Sequence, residues 1–159
     1  MPHVSAGIVL VRHWPVAPEL LLVHPGGPFW ARKDDGAWSI PKGEFAVGDD
    51  ALAAAEREFH EELGTPCPPG PRLAIGEVRQ KAGKVVHAWC VAGDIDTASV
   101  TSNEFEMEWP PRSGRMQRFP EVDRAEFFDL ATASRKLVAA QQPFLQRAID
   151  ALVSSTSGV

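Results

Sequence analysis

The segment from Asp50 to Leu63 constrains the fold most, because its composition and spacing require a helix with one apolar side. Its alanines favour a helix, Asp49 and Asp50 provide an acidic start, and Gly64 ends the helix just before a run of prolines. Apolar residues recur at helical spacing and predict a buried stripe: Leu52, Ala55, Phe59 and Leu63. The sequence therefore predicts a central helix packed against a core.

Three carboxylates fall within five residues of this helix. Glu58 and Glu62 lie one turn apart on the same side, at roughly 100° per residue, with Glu61 beside them. Like charges at this spacing destabilise an isolated helix, whereas a hard cation such as Mg²⁺ or Mn²⁺ converts the repulsion into binding. An acidic face exposed to solvent has the same pattern, so the triplet alone leaves both interpretations open.

The spacing of residues 43–65 favours the metal site. This segment resembles the Nudix box, Gly-x5-Glu-x7-Arg-Glu-U-x-Glu-Glu-x-Gly-U, in which U is an apolar residue. The matching positions are Gly43, Asp49, Arg57, Glu58, Phe59, Glu61, Glu62, Gly64 and Thr65. Asp49 replaces the expected glutamate but keeps the carboxylate, and Thr65 occupies the final apolar position. The run from Trp38 to Gly43 is similar to the approach to the box in the nucleoside triphosphate and diadenosine polyphosphate branches of the family.

The resemblance implies a hydrolase with Mg²⁺ as cofactor and Mn²⁺ as a substitute. The metal ligands that it implies are the carbonyl of Gly43 and the carboxylates of Glu58, Glu61 and Glu62. Glu58 and Glu61 are the catalytic candidates, and Glu58 is the first choice for orienting or deprotonating the attacking water. Arg57 and Asp49 take structural roles in this interpretation, Arg57 by pairing with a box glutamate.

A further metal ligand from outside the box is common in the family. Residues 103–109 alternate with period two, so that in a strand Glu104, Glu106 and Glu108 share one face. We expect Glu106 to be this ligand, with Glu104 as the second choice. A solvent-exposed polar face explains the same pattern equally well.

Substrate contacts are expected from a Gly/Pro-rich loop and from the residue before the box. Trp30 could stack on a base, and Arg32 and Lys33 could contact phosphates. Lys42 is well placed to meet a phosphate. The alternative is that Trp30 fills the core while the two loop cations are merely exposed.

The net charge of the chain limits the classes of partner that it can bind. A formal net charge of −5 argues against non-specific binding to nucleic acid or to anionic lipid, both of which require a basic surface. The apolar run near the N-terminus is shorter than the roughly 20 residues that a membrane span needs. We therefore expect a cytoplasmic protein with no nucleic acid and no membrane as partner, and the resemblance implies a small-molecule nucleotide as its substrate.

The remaining pattern mixes strands and helices. Strands are predicted at 4–11, 19–24, 73–80, 84–92, 101–109 and 126–130, and further helices at 131–138 and 143–153. This order indicates an α/β or α+β sandwich. The resemblance specifies it as an α/β/α sandwich with a mixed sheet, formed by one Nudix domain over residues 1–159.

The leading functional hypothesis is hydrolysis of a pyrophosphate bond in a nucleoside triphosphate or a dinucleoside polyphosphate by metal-activated water. ADP-ribose or nucleotide-sugar hydrolysis is the second enzymatic reading. A non-catalytic nucleotide-binding regulator with the same fold is the rival from another class. The intact Glu58, Glu61 and Glu62 argue against the regulator, because a pure sensor has little reason to keep repulsive charges.

Overall fold

Two mainly apolar chain segments form adjacent buried strands, and the remaining elements pack around them. The computed structural model describes residues 3–157. The strands are β1 (Val4–Arg12), β2 (Glu19–Pro25), β3 (Lys42–Glu44), β4 (Leu73–Arg79), β5 (Val85–Ala92), β6 (Glu104–Glu108), β7 (Met116–Pro120) and β8 (Val122–Asp129). The helices are α1 (Ala51–Leu63), α2 (Leu130–Lys136) and α3 (Pro143–Ser157). None of these helices, within residues 3–157, is both long and apolar enough to cross a bilayer.

The main sheet is mixed. Its order is β4-β5-β1-β2-β8, and β3 adds a short antiparallel pairing to β1. β1 runs parallel to β5 and antiparallel to β2, so the most apolar strand lies in the interior of the sheet. Burial on both faces explains why β1 and β2 are apolar at nearly every position.

A separate core covers each face of the sheet. On one face Val9, Leu20 and Leu22 pack with Trp38 and with Phe144 of α3. On the other face the alternate residues of β1 and β2 pack against the apolar side of α1: Ile8, Leu10, Leu21 and Val23. The predicted α/β/α sandwich with a mixed sheet is confirmed.

The box helix begins and ends as its sequence indicates. The side chain of Asp50 accepts a hydrogen bond from the backbone N–H of Ala53 at 3.2 Å and so caps the first turn. Gly64 ends the helix at φ 73°, and its N–H donates to the carbonyl of His60. Phe59 and Leu63 are fully buried, which turns the glutamates away from the core.

Three local expectations differ from the structure. The Lys42–Glu44 segment, for which no strand is predicted, pairs with β1 as β3, and residues 37–40 before it form only isolated bridges. β8 begins at Val122 instead of Glu126. β7 was not predicted, and it pairs only with β6 in a two-stranded ribbon outside the main sheet. β7 lacks an apolar alternation because most of the ribbon is exposed.

Candidate active site

The contact between β3 and the polar side of α1 forms the centre of the site. Pairing of Gly43 with Ala6 holds β3 beside the helix. A Cβ atom at position 43 would overlap the side chain of Glu58, so any residue larger than glycine would displace that carboxylate. The box glycine and the first glutamate of the predicted metal set are therefore direct neighbours.

Glu62 is a largely buried carboxylate that faces the start of β3. Its Oε2 accepts a hydrogen bond from the backbone N–H of Lys42 at 3.2 Å. Burial, reinforced by the charges of Glu58 and Glu121 and opposed by Lys42, raises the pKa of Glu62 to about 8. Burial lowers the pKa of the Lys42 ammonium, and the charge of Glu62 opposes that change. The site thus keeps charged groups away from the water that would stabilise them.

The other carboxylates repel one another. Burial raises the pKa of Glu58, with the charge of Glu61 as the next cause, while the neighbouring Arg57 opposes the rise. Burial also raises the pKa of Glu121, again with the charge of Glu61 as the next cause. Glu121 and Glu62 line a shared crevice of about 160 Å³ together with Lys42. Four carboxylates therefore act on one another across this surface.

The carboxylate oxygens of this site are ligands that suit a hard divalent cation, although they do not surround a common centre in the structure. Within residues 3–157, no three His, Cys, Asp or Glu side chains already surround a common centre. Glu58 lies against Gly43 and Arg57, and Glu62 holds the Lys42 backbone. Oxygen-only ligands that are partly buried and mutually repulsive are nevertheless the kind that Mg²⁺ takes, because a cation relieves the repulsion.

Two box residues with expected structural roles lie at the edge of this cluster. Nη2 of Arg57 is 3.5 Å from Oε1 of Glu58, and the Arg57 side chain is half exposed. Asp49 is exposed just before the helix, where its backbone N–H donates to the carbonyl of Ala46. The capping carboxylate is that of Asp50.

Glu106, the residue expected to be the metal ligand from outside the box, lies on the exposed β6–β7 ribbon. Its Oε1 is 3.1 Å from Nε of Arg118 across β6 and β7, and both side chains are more than half exposed. Glu104 is exposed on the same face. The carboxylate from outside the box whose charge acts on Glu58 and Glu62 is that of Glu121. The sequence marks Glu121 only as an acidic residue beside Pro120, so its position could not be found by periodicity.

The loop between β2 and β3 presents the predicted aromatic residue. Trp30 is 37% exposed, which excludes the core-filling alternative, and Nζ of Lys33 lies 4.9 Å from the centre of its ring. Arg32 is exposed. Buried His24 anchors this loop, because its Nε2 is 2.6 Å from the carbonyl of Lys33 and its Nδ1 is 2.7 Å from Oδ1 of Asp123.

Trp30 borders a cavity of about 480 Å³. Lys81 and Lys84, from the turn between β4 and β5, line it as well. Lys84 is close enough to Lys42 for its charge to contribute to the lowered pKa of Lys42. Sequence reasoning missed both turn lysines, because a cationic hairpin turn is the normal pattern of a solvent-exposed connection. The cavity thus adds cations between the loop and the box.

Several solved structures share the fold. An Ap4A hydrolase from C. elegans matches with 21% identity and a TM-score of 0.64, over 95% of this chain and 98% of that one. The NUDIX domain of Shewanella oneidensis NrtR, complexed with ADP ribose, has 16% identity and a TM-score of 0.62, over 96% and 89%. A MutT protein from Methanosarcina mazei Go1 has 20% identity and a TM-score of 0.60, over 94% of each chain.

Comparison with curated proteins gives no significant match. The family model described as the NUDIX domain matches residues 1–148, which include the whole of the box segment, Glu121 and the Trp30 loop. The chain therefore belongs to the Nudix family.

Proposed function

We propose that this chain, acting as one domain over residues 1–159, is a Mg²⁺-dependent hydrolase of nucleoside triphosphates or dinucleoside polyphosphates. The observation that carries the proposal is the cluster of Glu58, Glu61, Glu62 and Glu121. Burial and mutual repulsion raise the pKa values of three of them, Glu58, Glu62 and Glu121. Such a cluster gains stability when a cation binds, and Nudix hydrolases generally use divalent metals.

When bound, the metal supplies charge neutralisation at the phosphates and activation of the attacking water. The carboxylates of Glu61, Glu62 and Glu121 would hold the metal, and the carbonyl of Gly43 would add a ligand. Glu58 would orient the attacking water and accept its proton on a carboxylate oxygen. A raised pKa makes Glu58 a stronger base than an ordinary glutamate near neutral pH, which supports this role.

The cations favour a substrate with several phosphates. Lys42 is at the box, and Lys81 and Lys84 line the cavity that also contains Trp30. A polyphosphate can use contacts along this line, while Trp30 stacks on a base at its end. A nucleotide sugar or ADP-ribose has only two phosphates and needs fewer cations. The similarity to the NrtR domain with ADP ribose makes that compound the most informative competitor.

A panel of substrates tests the proposal. Purified protein with Mg²⁺ is given nucleoside triphosphates, dinucleoside polyphosphates, ADP-ribose and UDP-sugars, and the phosphorylated products are measured. We expect kcat/KM to be highest for the first two classes. If ADP-ribose or a UDP-sugar is clearly the best substrate, the substrate proposal fails while the hydrolase survives. Tight nucleotide binding without any hydrolysis would instead support the regulator.

A matched pair of variants tests the ligand from outside the box. Glu121→Gln removes the charge beside Glu62, whereas Glu106→Gln removes a glutamate that is paired with Arg118 on the exposed ribbon. We expect the first variant to require much more Mg²⁺ for half-maximal activity and the second to remain near wild type. The reverse result would make Glu106 the ligand, which is the residue expected from the sequence.

A further inference from the structure

A buried glutamine beside the Trp30 cavity has a fixed amide orientation. Gln141 is fully buried, and its Oε1 accepts a hydrogen bond from the backbone N–H of Ile40 at 3.0 Å. A backbone N–H can only donate, so this end of the amide must be the oxygen. The Nε2 end of Gln141 consequently faces its other two partners, Ser39 Oγ and Gln80 Oε1, each at 3.0 Å.

The fixed orientation of the Gln141 amide also fixes the orientation of the neighbouring Gln80 amide. Gln80 must offer its oxygen to Gln141, because two amide nitrogens cannot hydrogen-bond to each other. Its Nε2 is then directed away from Gln141. Within residues 3–157, no protein acceptor receives a hydrogen bond from this nitrogen. Gln80 lines the cavity together with Trp30, and its Nε2 carries two N–H donors while its oxygen is engaged by Gln141.

The cavity has the size and chemistry for a nucleoside. Its volume of about 480 Å³ lies within the usual range of ligand pockets. Trp30 offers an aromatic face, and Lys81 and Lys84 offer charge to phosphates. The amide donor of Gln80 is therefore available for the edge of the base.

On the basis of the function proposed above, we propose that Gln80 is a specificity-determining residue that favours 6-oxopurines over 6-aminopurines. A carbonyl oxygen at position 6 accepts a hydrogen bond from Nε2. An amino group at position 6 points its own donors at a donor, which leaves both groups unsatisfied. Gln141 acts as the positioning residue, because it prevents the Gln80 amide from flipping.

Binding of IMP and AMP in the presence of chelator tests this without turnover. The two nucleotides carry the same phosphate, and their bases differ at position 6 and in the proton that N1 carries in IMP but not in AMP. By calorimetry we expect the wild type to bind IMP about fivefold more tightly than AMP, the value of one hydrogen bond. Gln80→Leu should bring the ratio close to one by weakening IMP. Gln146→Leu, at an exposed glutamine of α3, is the matched control and should keep the wild-type ratio.

A second variant inverts the polarity. Gln80→Glu keeps an oxygen for Gln141 and presents an acceptor to the base, so AMP should become the better ligand. Its charge repels both monophosphates equally and cancels in the ratio. Equal affinities in the wild type, a ratio unchanged in Gln80→Leu, or an equal loss for both nucleotides would overturn the base-reading role. A wild type that hydrolyses nucleotides but shows one of these results refutes only this inference, whereas one that neither binds nor hydrolyses any nucleotide refutes the proposed function too.

Discussion

The raised pKa of Glu62 predicts how the stability of the metal-free protein depends on pH. In the unfolded chain this carboxyl ionises near 4.5, whereas in the folded protein it keeps its proton until about 8. The folded state therefore binds the proton more tightly. The resulting contribution to stability is complete below pH 4.5 and is lost as the pH rises towards 8.

The pKa difference between the folded and unfolded states sets the size of the loss in unfolding free energy. From 4.5 to about 8 is roughly 3.5 units, and at about 1.4 kcal/mol per unit the loss is on the order of 3–5 kcal/mol. Glu62→Gln removes this titration while keeping the volume and an oxygen for the Lys42 N–H. We therefore expect the two proteins to be similarly stable near pH 4.5 in chelator, and the variant to be more stable by this amount near pH 9.

Urea unfolding at a series of pH values, in chelator and in Mg²⁺, measures the effect. Glu106→Gln is the matched control, because it replaces an exposed glutamate with the same side chain. Saturating Mg²⁺ should stabilise the wild type at alkaline pH and close the gap, since the cation binds the ionised carboxylate. Parallel pH profiles of the wild type and Glu62→Gln in chelator would refute the reasoning about burial.

Four further outcomes follow from the site. Glu62→Gln should lower turnover by at least about a hundredfold, because an amide cannot replace the charge at the ion; near-wild-type turnover at saturating Mg²⁺ would contradict this. Activity should vanish in excess chelator, return with Mg²⁺ or Mn²⁺, and rise towards alkaline pH, as a pH series with each metal will measure. Trp30→Ala should raise KM more than it lowers kcat, by the equivalent of about 1–3 kcal/mol if stacking is uniform binding, and a loss confined to kcat would contradict it. Gly43→Ala should reduce kcat about a hundredfold with the fold retained, because the added methyl group displaces Glu58; unchanged kinetics would show that this carboxylate moves freely.

The box could be predicted because its determinants are local. The capping residue Asp50, the buried Phe59 and the terminal Gly64 follow from helical spacing and from backbone conformation within one segment. The closeness of Gly43 to Glu58 is encoded in the same segment, since a short connection returns the chain from β3 to the helix. Interactions of this kind leave a pattern in the sequence that can be read without knowledge of the rest of the fold.

Residues brought to the site by distant pairings left no such pattern. Glu121 is far from the box in sequence, and it reaches the site because β8 pairs with β2 and so begins beside the end of β2 at Pro25. Lys84 reaches the vicinity of Lys42 through the β4–β5 turn. Several other acidic residues in the sequence are equally good candidates for the place of Glu121, and several other basic residues for that of Lys84. Only the register of strand pairing selects among them.

The same strand pairing joins the aromatic loop to the carboxylates. At the end of β2 the backbone N–H of Gly26 donates to the carbonyl of Glu121 at 3.0 Å. Two residues earlier, the buried His24 contacts the carbonyl of Lys33 through one ring nitrogen and Asp123 of β8 through the other. The loop that presents Trp30 and the segment that presents Glu121 are thus fixed to one frame. We expect this shared anchoring to reduce the ordering that the loop needs when a nucleotide stacks on Trp30, and such preordering is the condition under which binding energy lowers the barrier to reaction.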